Sequence, residues 1–347
     1  MNNKIHLMNN TLLNTRYVVT MILVFLFMRA SLSSAEEVVV YTSVDQTFSE
    51  PILMAFQEKS GIRVKALYDV EAAKTVGLVN RLLAEKRRPK ADVFWNSEVS
   101  RTIYLAKAGI LAPYKSVHWE QFPQAFKDTD YLWTGFAARA RVLIYNTKLL
   151  KEKDVPESIF ELTGQKWKGR VTMAYPLFGT TATHIAALYS SLGKEKAESF
   201  LKRLVDNEVV VVNGNSVTRD LVVEGTVPIG FTDTDDANVA ITKGSAVKII
   251  YPDQDGFGTL IIPNTVALIK NGPNPQNGMQ LVDYLLTEEV ESALAFSTSA
   301  QMPLRENVQR PSSIPDISQI KAMEIDYYDV TKNIEQAGRF CQELFIK

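Results

Sequence analysis

Apolar residues in this chain come as short unbroken runs, and between the runs they recur at helical spacing. E-V-V-V-Y-T-S at 37–43 is a β-branched run bounded by polar residues, which predicts a buried strand ending at Tyr41. Phe48, Ile52, Leu53 and Phe56 then share one helical face, and Gly61 stands where a helix C-cap belongs. R-V-K-A-L-Y at 63–68 predicts a second strand. Ala72 to Lys86 predicts a helix with Leu78, Leu82 and Leu83 inward, and A-D-V-F-W at 91–95 a third strand. Strand–helix–strand–helix–strand is the pattern of a parallel sheet covered by helices on both faces.

The second part of the chain repeats the style without repeating the sequence. Trp133 to Tyr145 is a long strand-like run carrying Arg139 and Arg141. Strands are expected at Trp167–Ala174, Val209–Val212, Val227–Phe231 and Val247–Tyr251, with helices from about Thr180 and over Val217–Glu224. Thr259 to Ile269 is a further strand, split by Pro263; Gln276–Leu286 and Glu288–Phe296 are helical, and the tail from Ile317 is amphipathic. Two passages between lobes are expected, near 137–142 and 260–266. The predicted fold is therefore α/β, with two parallel-sheet-based lobes joined by crossover strands and a hinged cleft between them. The expected bounds are 36–138 with 264–310 for the N-terminal lobe, 139–263 for the C-terminal lobe, and 311–347 for a C-terminal helical segment.

Composition narrows the setting. Lys4 and Arg16 precede an apolar run, Tyr17 to Met28, and Ser33-Ser34-Ala35 offers small residues for cleavage, so 1–35 reads as a secretory signal. An uncleaved anchor is the alternative. A periplasmic location follows from the first reading, and the roughly 310 residues left are more than one core usually holds. The single cysteine, Cys341, forms no intrachain disulfide and follows no lipobox-like position. The whole chain has 38 basic and 39 acidic residues, and its three leading cations leave with the signal. The processed chain is thus mildly acidic, which argues against nucleic acid or an anionic membrane as partner. With His118 and His184 the only histidines after position 35, a histidine-rich metal site is not expected.

In open parallel sheets ligands bind beyond the carboxyl ends of strands. Those ends supply Thr42, Ser43 and Asp45 after the first strand, and Asn96, Ser97 and Glu98 after the third. In the second lobe they supply Gly179, Thr180 and Thr181 at a helix start, Asn213 and Asn215 at another, and Thr232 to Asp236 after the strand ending at Phe231. Gly179 permits close backbone approach, and Thr180 and Thr181 suit either an ordinary helix cap or an anion held at the helix end. Asp233, Asp235 and Asp236 repel one another unless a cation compensates: a hard metal ion, a ligand ammonium, or Arg139 and Arg141. The bland reading is a solvated acidic loop. Arg139 and Arg141, on one strand face, suit a ligand carboxylate or phosphate, or an ion pair with those aspartates. His184 and the pair Tyr327-Tyr328 read as packing. No nucleophile stands beside a base and no phosphate loop is present, so an enzyme is not expected.

Five segments resemble periplasmic solute-binding proteins of ferric-iron-type ABC transporters. They are V-V-V-Y-T-S at 38–43, A-D-V-F-W-N at 91–96, W-T-G-F-A-A-R-A-R-V-L-I-Y-N-T at 133–147, N-G-N-S at 213–216 and I-P-N-T-V-A-L-I at 262–269. The resemblance implies a two-lobed type II binding-protein fold, an inner-membrane permease with its ATPase as partners, and a monomer. It implies no required cofactor, with Fe(III) as cargo together with a bound anion. Ferric binders of this family often carry histidine or tyrosine after the first strand and a tyrosine pair after a second-lobe strand. Here Asp45 and Gln46 occupy the first place and Asp235 and Asp236 the second. Carried over, the metal ligands are Asp45, Asp235 and Asp236, and the anion falls to Gly179, Thr180 and Thr181. Thr42, Ser43, Asn96, Arg139 and Asn215 complete the expected cleft. The alternative cargo is an organic phosphate, phosphonate or other small zwitterion, and a metal-dependent hydrolase is a third reading.

Overall fold

A computed structural model describes residues 36–69 and 76–345. The predicted signal segment and the first turn of the helix expected from Ala72 lie outside these residues. Strand β1 (Glu37–Thr42) is followed by α1 (Gln46–Ser60), which ends at Gly61 with φ 74°, a left-handed value that glycine adopts without strain. Next come β2 (Arg63–Tyr68), α2 (Val76–Ala84), β3 (Val93–Asn96), α3 (Val99–Lys107) and the short β4 (Leu111–Ala112). β1 pairs in parallel with both β2 and β3, as Val40 opposite Ala66 and Val40 opposite Val93 show.

The long strand β5 (Thr134–Asn146) is buried along its whole length. Up to Ala140 it runs antiparallel to β10 (Ile261–Ile269), and from Arg141 it pairs with β8 (Ile229–Asp233) and β9 (Val247–Ile250). β6 (Val171–Ala174) lies parallel to β8 and to β7 (Val210–Val212). The order across the sheet is β2-β1-β3-β10-β5-β8-β6-β7, so two parallel blocks are joined through antiparallel β10 and β5. Proline has no N–H to give the ladder, and the β5–β10 register shifts between Pro263 and Asn264. Ala137 on β5 takes φ 42° there, and its N–H turns to the Glu291 carboxylate at 2.9 Å. The expected break at Pro263 is therefore a bulge where both strands pass between the blocks.

The second block carries α4 (Gly179–Leu192), α5 (Lys194–Asp206), α6 (Asn215–Glu224) and α7 (Thr234–Thr242). Helices α8 (Pro275–Leu285) and α9 (Glu288–Phe296) return to the first block. Helix α10 (Tyr327–Phe345) then packs against both α3 and α4. Burial of Val330 and Ile334, each worth ~1.5–3 kcal/mol, fastens it to the core.

Three elements depart from the pattern reading. Trp167, expected in a strand, sits in a short 3-10 turn (Gln165–Trp167), because Gly169 at φ 67° turns the chain before β6 can begin at Val171. The tail is not helical from Ile317: an Asp316 capping box closes a single turn at Ile317–Gln319, and the long helix starts only at Tyr327. Most consequentially, no loop follows β8. Its last residue, Asp233, is the N-cap of α7, which puts Asp235 and Asp236 in a helical first turn.

Candidate functional site

Three helices of the second block start at one pocket. Gly179, Thr180 and Thr181 come from α4, Gly214 and Asn215 from the start of α6, and Asp233 and Asp236 from the start of α7. Ser97, Arg139, Tyr175, Phe178 and Asn213 complete most of the wall of this pocket, which opens to solvent and encloses only about 30 Å³. α4 and α6 have Phe178 and Gly214 at their N-caps, and among the described residues no side chain caps their first amides. Unsatisfied amides and the positive end of each dipole make such ends receptive to anions.

The threonines expected as caps do something else. Thr180 Oγ1 donates to Asp233 Oδ2 at 2.5 Å, and Thr181 Oγ1 donates to Asn215 Oδ1 at 3.4 Å. Asn215 Nδ2 also donates to Asp233 Oδ2, at 2.9 Å. The buried Arg141 closes the network: its Nη1 donates to Asp233 Oδ1 at 2.6 Å, to Asn215 Oδ1 at 3.1 Å and to Thr180 Oγ1 at 3.3 Å. Its guanidinium also stacks 4.4 Å from the Phe231 ring, a cation–π contact that strengthens when water is excluded.

Each aspartate of the cluster faces an arginine. Arg141 meets Asp233, Arg139 meets Asp235 at 3.0 Å, and Arg219 meets Asp236 at 3.6 Å. Burial works against the Arg139 charge, but Asp235, Asp233, Asp45 and Asp236 outweigh it and hold its pKa above the usual arginine value. Arg139 Nη2 donates to Asn264 Oδ1 at 3.1 Å, while its buried Nε has no hydrogen-bond partner among the described residues. Oxygens of Asp233, Asp235 and Asp236 lie within 4.8 Å of one another, close enough to share a metal ion.

On the first-block side, the expected residues mostly stand behind the wall. Thr42, Ser43 and Asn96 are buried. Ser43 Oγ donates to Asn96 Oδ1 at 2.6 Å and accepts from Ser97 N at 2.9 Å. Asn96 Nδ2 bonds back to Glu98 O and to Thr102 Oγ1, and Thr42 Oγ1 accepts from Val44 N. These three brace the loop that presents Ser97. Asp45, at the N-cap position of α1, is half-buried and acts on Arg139 through its charge.

Arg219 was the residue the pattern reading missed. Its signal was available: it follows Asn215 by one helical turn and so shares its face. His184 is buried against Phe231 with ring centroids 4.9 Å apart, and burial, with Arg141 nearby, pushes its pKa well down. Tyr327 donates its hydroxyl to Ile261 O and Tyr328 to the Asp128 carboxylate, so both pack as expected.

Two α/β blocks, two strands passing between them and a polar cleft ringed by helix ends define a two-lobed binding protein of the type II periplasmic class. The chain belongs to the bacterial extracellular solute-binding protein family, whose model matches residues 52–323. It is 26% identical over 290 residues to Iron uptake protein A1 of Synechocystis, covering 79% of each chain. It is 27% identical over 289 residues to a putative 2-aminoethylphosphonate-binding periplasmic protein of Salmonella typhimurium, covering 80% of this chain and 81% of that one. The structure of iron-bound HitA from Pseudomonas aeruginosa superposes with a TM-score of 0.81 at 25% identity, covering 89% of this chain and 99% of that one. Members of this family are binding proteins associated with transport. Among the described residues, no helix is long and apolar enough to cross a membrane.

Proposed function

We propose that this protein is the periplasmic solute-binding component of an ABC importer, and that its cleft takes a small solute bearing a phosphate or phosphonate group. The lobes would be 36–138 with 264–310, and 139–263, with segment 1–35 removed on export. The carrying observation is the pairing of Asp233, Asp235 and Asp236 with Arg141, Arg139 and Arg219. A cluster already neutralised by guanidiniums is a poor ligand set for a trivalent cation, whose charge they would repel. What the pocket offers instead is the α4 and α6 amide ends, the Thr181 hydroxyl and Arg139 for an anion. Asp45, close enough for its charge to act on Arg139, suits hydroxyls or an ammonium at the solute's other end. Closure of the lobes over that solute is the state a permease and its ATPase would read.

Ferric iron with a bound anion is a second reading. The three mutually close carboxylates and the iron-binding relatives favour it, and it requires the arginines to swing away. Native mass spectrometry of protein purified from its own periplasm without chelator separates the two. An added mass of a phosphorylated or phosphonate metabolite without metal is expected. One added iron per chain would replace this reading with the second.

A further inference from the structure

Glu98 is a carboxylate only 1% exposed. As N-cap of α3 it accepts from Ser100 N at 2.7 Å and Arg101 N at 2.8 Å, which satisfies two of that helix's open amides. Capping alone does not call for this residue. Burial pushes the Glu98 pKa up, so its charge is held at a cost that a neutral serine or asparagine cap would avoid. The carboxylate has a third donor: Thr183 Oγ1, 2.9 Å away, from the first turns of α4. α3 belongs to the first block and α4 to the second, so this bond crosses between them.

Its position behind the cleft is what gives it a role. Ser97, the residue before Glu98, lines the pocket from one side, and Thr180 and Thr181, two to three residues before Thr183 on the same helix, line it from the other. Helix α10 covers the junction by packing on both α3 and α4, with Thr331 Oγ1 near Ser100 O at 3.4 Å. The bond is therefore shielded from water, where a hydrogen bond to a charged acceptor counts for more.

We propose that Glu98 is a positioning residue: through Thr183 it ties the first lobe to α4, sets the angle at which the lobes rest before a solute closes them, and keeps the α4 N-terminus aimed at the bound solute. This rests on the anion reading of the cleft for its effect on affinity, but not for its effect on lobe geometry.

The test uses the mature protein in three variants. Thr183→Val removes the hydroxyl at nearly constant volume, and Thr183→Ser retains it. Glu98→Asp keeps a good helix cap and the charge but is one methylene short of Thr183, so it guards against a variant that fails for folding reasons. Spin labels at Glu58→Cys and Lys196→Cys, both exposed, report the distance between lobes by pulsed electron resonance, while the buried Cys341 stays unlabelled. Calorimetry with inorganic phosphate reports affinity. Thr183→Val and Glu98→Asp are expected to broaden the distance distribution without ligand and to weaken phosphate binding roughly tenfold, the size of one charge-assisted hydrogen bond. Thr183→Ser should match the parent in both. Unchanged distributions in Thr183→Val and Glu98→Asp would overturn the proposal, as would a Thr183→Ser variant that behaves like Thr183→Val. A parent protein that binds no phosphate would instead sink the anion reading, leaving the distance measurement to judge the strut.

Discussion

The substitution Asp235→Asn separates stability from binding at the centre of the site. Asp235 and Arg139 are both about 95% buried and paired at 3.0 Å. Removing one partner of a buried ion pair typically costs ~3–5 kcal/mol, because the other charge is left in a poor solvent. Here the loss should be smaller. Asp233, Asp45 and Asp236 also act on the Arg139 charge, and Asn264 Oδ1 holds its Nη2. A value of about 2–3 kcal/mol is expected, which for a chain of about 310 residues lowers the melting temperature by roughly 3–5 °C. Binding should move the other way. Neutralising Asp235 leaves Arg139 more available to an anion, so phosphate affinity should hold or rise several-fold. The assays are urea unfolding followed by fluorescence and calorimetric titration with phosphate. Loss of phosphate binding with unchanged stability would refute the reasoning, since it would make Asp235 a ligand contact and not the partner of a buried cation.

Two further outcomes follow from buried groups elsewhere. His184 is held neutral in the fold, with burial pushing its pKa well below the usual imidazole value, so its contribution is intact above pH ~6.5 and shrinks as pH falls below it; between pH 7.5 and 5.5 the parent should lose on the order of 1 kcal/mol more than His184→Leu in urea unfolding, and parallel losses would refute this. Gly230 lies under α6, where an added Cβ would meet Thr218 Cγ2 at 2.7 Å and Val222 Cγ2 at 3.0 Å, so Gly230→Ala should cost about 1–3 kcal/mol, and an unchanged denaturation midpoint would show that α6 yields freely.

Much of the frame was legible because it rests on local patterning. The strand at 63–68, the Gly61 stop and the break at Pro263 each follow from a residue's own backbone chemistry, and each stands where expected. What escaped was set by partners distant in sequence. Asp233 to Asp236 looked like a self-repelling loop because the guanidiniums that answer them come from β5 and α6. Once those charges are compensated, the same residues can start a helix, and acidic residues in a first turn favour the positive end of its dipole. Thr42, Ser43 and Asn96 were correctly placed at strand ends, yet sequence position does not say which way a side chain turns; mutual hydrogen bonds and those to Glu98 and Thr102 turn them inward. The same point bears on cargo. A pair of aspartates where the resemblance leads one to expect a tyrosine pair suggests a hard-metal site so long as they are read alone. With Arg139, Arg141 and Arg219 counted in, the cluster becomes a brace for three helix ends, and in the function we propose the anion half of the pocket is the part left to meet a solute.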